Sequence, residues 1–154
     1  MSEDQILAVL PVFIIVVIAV SLFLAIRIIR KTNARTDAPP VSPAPGTIEF
    51  PVRQLWRRGF LNGSKNGISP EFAVTSGGIR FKVFRETLWT WSEIKEVHAP
   101  WSPFSTLVMF RGTGLGQSLE VSVGDEAKGR AILAALPAGV RLTPRAMALR
   151  DGTR

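Results

Sequence analysis

Residues Ile6–Ile29 read ILAVLPVFIIVVIAVSLFLAIRII, and no charge interrupts the chain between Asp4 and Arg27. At a rise of about 1.5 Å per residue, a helix of this length spans roughly 36 Å, against a hydrocarbon core of ~30 Å. A run this apolar leaves no face for water, so the pattern predicts a transmembrane α-helix. Ser2 and Gln5 carry a capping-box spacing, and Glu3 and Asp4 suit the positive end of the helix dipole. Pro11 removes one backbone donor and predicts a mild kink.

The far end of the run is basic, with Arg27, Arg30 and Lys31 as interface anchors and Arg35 beyond them. No Lys or Arg precedes the run. The positive-inside rule therefore predicts a single-pass protein of the cell membrane, N-terminus outside and C-terminal domain cytoplasmic. A cleaved leader would want a basic start, a shorter apolar stretch and a small-residue cleavage site. The acidic start and basic exit favour a permanent anchor over residues 1–30. Ser21 and Ala25 form a small-xxx-small pair, which a lone anchor explains equally well.

The next segment, 31–46, reads KTNARTDAPPVSPAPG, with four prolines between Pro39 and Pro45. This composition favours extended conformations and predicts a linker. Roughly 105 residues remain, enough for one small domain with a real core. The chain has no cysteine, which excludes disulfides and cysteine-based metal sites or nucleophiles. A net charge of +7 makes anionic lipid and nucleic acid the natural counter-charges, although a solvated basic surface accounts for it as well.

From Thr47 the pattern turns to short β-like runs. Ile48, Phe50 and Val52 alternate with polar positions, and Pro51 predicts an edge strand. Gln54–Leu61 fits a short helix or an irregular segment, and Asn62–Gly67 reads as a polar loop. Glu71–Thr75 and Ile79–Phe84 read as a hairpin turning at Gly77 and Gly78, with Ile79, Phe81 and Val83 on one face and Arg80 and Lys82 on the other. Further strands are expected over Thr87–Trp91, Ser105–Phe110 and Leu119–Val123. Asp125 then caps a helix carrying Ala127, Ala131, Ile132, Ala135 and Leu136 toward the core and ending at Pro137–Gly139. The domain is expected over 47–142, followed by a basic flexible tail, 143–154.

Val74-Thr75-Ser76-Gly77-Gly78-Ile79 resembles the entry of pleckstrin-homology-like (PH-like) domains. Trp91-Ser92-Glu93-Ile94-Lys95-Glu96-Val97 is similar to the W-x-x-I-x-x-V step of bacterial versions, and the helix opening at Gly124-Asp125-Glu126-Ala127 to the one that plugs such barrels. The resemblance covers roughly Thr47–Gly139. It implies a small mainly-β domain, a barrel or sandwich with one C-terminal capping helix, beside a transmembrane helix. Members of the family bind lipids or proteins. The lipid binders use clustered cations on the first hairpin; the positions here nearest that pattern are Arg80, Lys82 and Arg85, and the full lipid motif is missing.

Chemistry-bearing patterns are sparse. His98 has no ligand partners at metal spacing, so no metal or cofactor is expected. Glu93 and Glu96 could meet on one turn, but a solvated face explains them. Gly112-Thr113-Gly114-Leu115-Gly116 lacks the helix that a phosphate-binding loop opens into, and reads as a hairpin turn. Trp89 and Trp91 share a strand face by spacing, whereas Trp56, beside Arg57 and Arg58, suits a membrane interface. Nucleic acid is a poor fit, because Arg80 and Lys82 alternate with the aromatic positions instead of sharing a face with them.

The expectation is a non-catalytic adaptor or regulator that binds a protein partner at the membrane. The alternative is a sensor of anionic headgroups working through Arg53, Arg57, Arg58, Arg80, Lys82 and Arg85.

Overall fold

The computed structural model describes residues 16–24, 26–27, 37–59 and 62–153. Two compact units divide the chain at Ala34/Arg35. In the first, residues 16–24 and 26–27 are helical (α1), with Val16, Ile18, Leu22 and Phe23 exposed. The Ser21 hydroxyl donates to the Val17 carbonyl at 2.7 Å, one turn back. Much of the expected span, with Pro11, Arg30 and Lys31, lies outside the described residues. Among the described residues no helix is long and apolar enough to cross a membrane.

The second unit is a small mainly-β domain. Its strands are β1 (Val41–Ala44), β2 (Thr47–Phe50), β3 (Gln54–Arg58), β4 (Gly63–Asn66), β5 (Glu71–Thr75), β6 (Gly78–Lys82), β7 (Glu86–Thr90), β8 (Ile94–His98), β9 (Thr106–Gly112) and β10 (Ser118–Val123). They form two antiparallel five-stranded sheets, ordered β1-β2-β5-β6-β7 and β4-β3-β10-β9-β8. Helices α2 (Glu126–Ala134) and α3 (Pro144–Asp151) follow the last strand.

One long bent hairpin joins the sheets. Its first arm is β2 and β3, its second β4 and β5. β2 pairs with β5 in one sheet, while β3 pairs with β4 in the other. Both arms break at the same level, over Pro51–Arg53 and Gly67–Pro70. Pro51 therefore lies at a corner, where no ladder asks for its missing N–H. That corrects the expected edge strand: β2 has a neighbour on each side, and β1, drawn from the expected linker, forms the edge. Asn62–Gly67, expected as a loop, supplies β4, and the ambiguous Gln54–Leu61 begins with β3. β4 has no apolar side chain, and β3 sets Trp56 among its polar outward positions and Arg57 on the side of buried Leu55, so neither shows the alternation that marks a strand.

The core fills the space between the sheets. Leu119, Val121 and Val123 alternate inward along β10 with no exposed surface, and Ile79 and Phe81 do the same along β6. Phe72 of one sheet meets Phe110 of the other with ring centroids 5.7 Å apart, and Phe50 joins them at 6.4 Å from Phe72. Phe81 and Trp89 meet edge to face at 5.4 Å. Trp91 leaves that strand face for a 3-10 turn (Trp91–Glu93), where its indole N–H donates to the Ser76 carbonyl at 2.9 Å.

In α2, the Asp125 carboxylate accepts from the Lys128 amide at 2.8 Å. The helix buries Gly129, Ile132 and Leu133, with Ala131, Ala135 and Leu136 partly covered. The expected flexible tail is instead α3, opened by Pro144 in its first turn and closed by Gly152 at φ 71°. Ala146 and Leu149 are buried in the same core. Just before it, the Val97 amide donates to the Arg141 carbonyl at 2.8 Å and the Thr143 amide donates to the Val97 carbonyl at 3.0 Å. These bonds cover the free edge of β8, which would otherwise offer unpaired backbone groups.

Two predictions follow from this packing. A Cβ on Gly78 would stand 2.0 Å from the Trp89 carbonyl oxygen, whereas one on Gly77 would have nothing within 4 Å. Gly78→Ala should cost about 2–4 kcal/mol in chemical denaturation, and Gly77→Ala less than about 0.5 kcal/mol. Leu149→Ala should cost about 2–3 kcal/mol in the same assay, because α3 belongs to the core; a loss below about 0.5 kcal/mol would return the segment to the status of a tail.

Candidate binding groove on the first sheet

The outer face of the β1-β2-β5-β6-β7 sheet follows from register. Glu49, Ala73, Arg80 and Leu88 stand side by side across β2, β5, β6 and β7. Two residues along, Glu71, Lys82 and Glu86 form the neighbouring row. The Arg80 guanidinium bonds the Glu49 carboxylate at 2.8 Å and lies 3.5 Å from Glu86. The Lys82 ammonium bonds Glu71 at 3.0 Å. These side chains remain substantially exposed, so the pairs orient one another more than they stabilise the fold.

Ala73 is the exception on this face, only 2% exposed. It is the small floor of a groove of about 250 Å³, which Ala38, Pro39 and Val41 flank along with Glu49, Glu71, Arg80, Lys82 and Glu86. The arrangement is an apolar slot rimmed by charges of both signs. It suits a short apolar side chain whose flanking backbone or charged neighbours meet the rim.

The six sequence-predicted cations do not gather. Arg80 and Lys82 rim the groove, each with acid partners. Arg58 lies on the other sheet, 3.5 Å from Glu120, with its guanidinium carbon 3.7 Å from the centre of the Trp56 ring. Lys65 approaches the same ring at 5.9 Å. Trp56 is thus a cation–π platform within the sheet face. Arg57 stands opposite Ser64 and Leu119, on the alternate side of β3 from Arg58. Arg53 occupies the corner, and Arg85 the exposed turn between β6 and β7. Of the expected interface anchors, Arg27 is an exposed helical residue of α1. Sequence reasoning missed Glu49, Glu71, Ala73 and Glu86; their grouping depends on strand register, which no local spacing encodes.

Glu93 and Glu96 are separated as well. Glu93 accepts from the Thr90 amide at 2.8 Å and hydroxyl at 2.9 Å, and these bonds hold its carboxyl below the usual range. Glu96, on β8, lies 3.0 Å from His98 Nε2 and 3.1 Å from the Arg111 guanidinium. His98 Nε2 is buried and, although 3.0 Å from that carboxylate, is not aligned for a hydrogen bond to it. The close His98 imidazole, then Arg111, draws the Glu96 carboxyl below its ordinary value against the opposing effect of burial. Gly112–Gln117 turns between β9 and β10, closed by a 2.9 Å bond from the Gly112 amide to the Gln117 carbonyl. Among the described residues no three His, Asp or Glu side chains cluster for a metal ion.

Because its folded pKa is depressed, Glu96 contributes stability that is present above its ordinary titration range and lost as pH falls through the folded value. Carbon-13 titration of the Glu96 carboxyl should give a midpoint below the ordinary glutamate value, and His98→Gln should raise it. An unmoved midpoint in that variant would remove His98 as the cause. The chain matches no protein-family model, no curated protein and no solved structure.

Proposed function

We propose that this chain is a membrane-tethered, non-catalytic adaptor whose PH-like β domain binds a peptide segment of a protein partner at the cytoplasmic face. The observation that carries the reading is the groove: an apolar floor at Ala73 within a rim of paired charges, Glu49–Arg80–Glu86 and Glu71–Lys82. Carboxylates and cations that already hold one another present fixed donors and acceptors, so little side-chain entropy is lost when a peptide takes their place. The small floor admits one apolar anchor, the feature that usually dominates such contacts.

Support for the PH-like reading comes from topology. One bent hairpin serves both sheets, and the last strand leads into a helix that buries Ile132 and Leu133 in the core. Support for the tether is the Ile6–Ile29 run with its basic exit. The alternative, headgroup sensing by a shared basic surface, is disfavoured because Arg58, Arg80 and Lys82 have carboxylate partners and the six cations are scattered.

Photocrosslinking tests the proposal in the full-length chain in its native membrane. A photoreactive side chain at Leu88, exposed on the groove row, should give a discrete protein adduct. The same group at Gly77, in the turn at the other end of β6, should not. Arg80→Glu reverses the central charge of an exposed ion pair and should reduce the Leu88 adduct about tenfold, in line with ~1.4 kcal/mol of rim contact. Equal adducts at both positions, or an adduct indifferent to Arg80→Glu, would overturn the groove as the binding site.

A further inference from the structure

Ile68 is 96% exposed, yet its backbone amide is hydrogen-bonded. It sits in the Gly67–Pro70 bend, and Asn66 organises that bend with four side-chain contacts. The Asn66 amide oxygen accepts from the Ile68 amide at 3.1 Å and the Ser69 amide at 3.2 Å. Its amide nitrogen donates to the Ser69 carbonyl at 3.1 Å and, across the corner, to the Lys82 carbonyl at 3.2 Å. The last contact ties the bend to the end of β6, two residues before Phe84. Phe84 is itself 75% exposed and is followed by Arg85, which is exposed and forms no ion pair among the described residues. A fully bonded asparagine thus ties the bend that carries an exposed isoleucine to the end of β6, which an exposed phenylalanine and an arginine without an ion pair among the described residues follow.

Hydrophobic side chains on a pinned turn lose little entropy on binding. A free arginine beside them supplies charge complementarity to an anionic surface. The chain's net charge of +7 acts in the same direction. We infer that this corner docks on the surface of a lipid bilayer, with Ile68 and Phe84 entering the interfacial zone and Arg85 among the headgroups. The inference rests on the membrane-tether reading for its proximity to lipid. It concerns the corner at the end of the groove, where Pro51 and Pro70 contribute to the lining, and it needs no specific headgroup.

The absence of cysteine makes the test clean. Ile68→Cys, Phe84→Cys and Gly77→Cys each give the full-length chain a single site for an environment-sensitive fluorophore, and a Cβ at Gly77 meets nothing within 4 Å. The chains are reconstituted in vesicles of three parts phosphatidylcholine to one part phosphatidylglycerol, with or without a spin-labelled lipid. Labels at 68 and 84 should shift to the blue and lose at least about half their emission to the spin label, while the label at 77 stays water-like. Labels at 68 and 84 as water-like as that at 77, or all three quenched alike, would overturn the docking. A blue shift without lipid quenching would place the tips against protein and overturn the lipid assignment. Alkaline extraction of the same vesicles reports the tether separately: a chain released by it sinks the tether, whatever the labels say.

Discussion

The corner where both arms of the long hairpin bend is the constraint on which this domain depends. A single strand pair serves two sheets only if both arms turn at one level, because an unmatched bend would leave a row of buried backbone groups without partners. Here Pro51 begins the break in one arm, and the Asn66 side chain satisfies the backbone across the break in the other. The corner folds Phe72 toward Phe110, so the two sheets share one aromatic core. A loose corner would let the sheets slide, and a one-residue slip in either ladder would turn its buried side chains to water.

The same geometry explains how the surface charges are arranged. Outward positions lie on adjacent strands in register, and four strand cations have an acid within reach: Arg80 with Glu49 and Glu86, Lys82 with Glu71, Arg58 with Glu120, Arg111 with Glu96; exposed Lys65 and Lys95 have no ion pair among the described residues. The sheet faces are therefore close to balanced, despite the chain's positive charge. Arg53 and Arg85 form no such pair among the described residues, and they occupy the corner and a turn. The two-signed pattern is therefore concentrated on the strand faces, and unpaired cations stand both there, at Lys65 and Lys95, and at the corner and turn.

Strands with clean alternation were legible from sequence: Ile79 and Phe81 against Arg80 and Lys82, and Leu119, Val121 and Val123 against serine and glutamate. The Asp125 cap was legible for the same reason, since one residue and its third neighbour define it. The failures have a common cause. β1 contains Pro43 and is exposed throughout, β4 is Gly-Ser-Lys-Asn, and α3 buries only Ala146 and Leu149, so none carries a hydrophobic period of its own. Each owes its place to a neighbour: β1 to β2, β4 to β3, and α3 to α2 and β8. The groove was illegible for a stronger reason. Glu49 and Arg80 are separated by thirty-one residues, and only the ladders through β5 bring them together.

These weakly encoded elements lie at or beside sheet edges, although β7, the other edge of its sheet, is legible through buried Trp89. β1 covers the open side of β2, and residues 141–143 cover the open side of β8. An edge must not advertise itself as a strand, because a strongly β-forming, apolar edge invites pairing with a second chain. Proline in β1, glycine and lysine in β4, and a helix after a single parallel bridge at Leu142 are ways of ending a sheet without that risk. The poor sequence signal of these segments is thus a consequence of their position. The core strands and β7 announce themselves because burial selects their pattern, and β1 and β4 stay quiet because a strong pattern at those edges would invite pairing with a second chain.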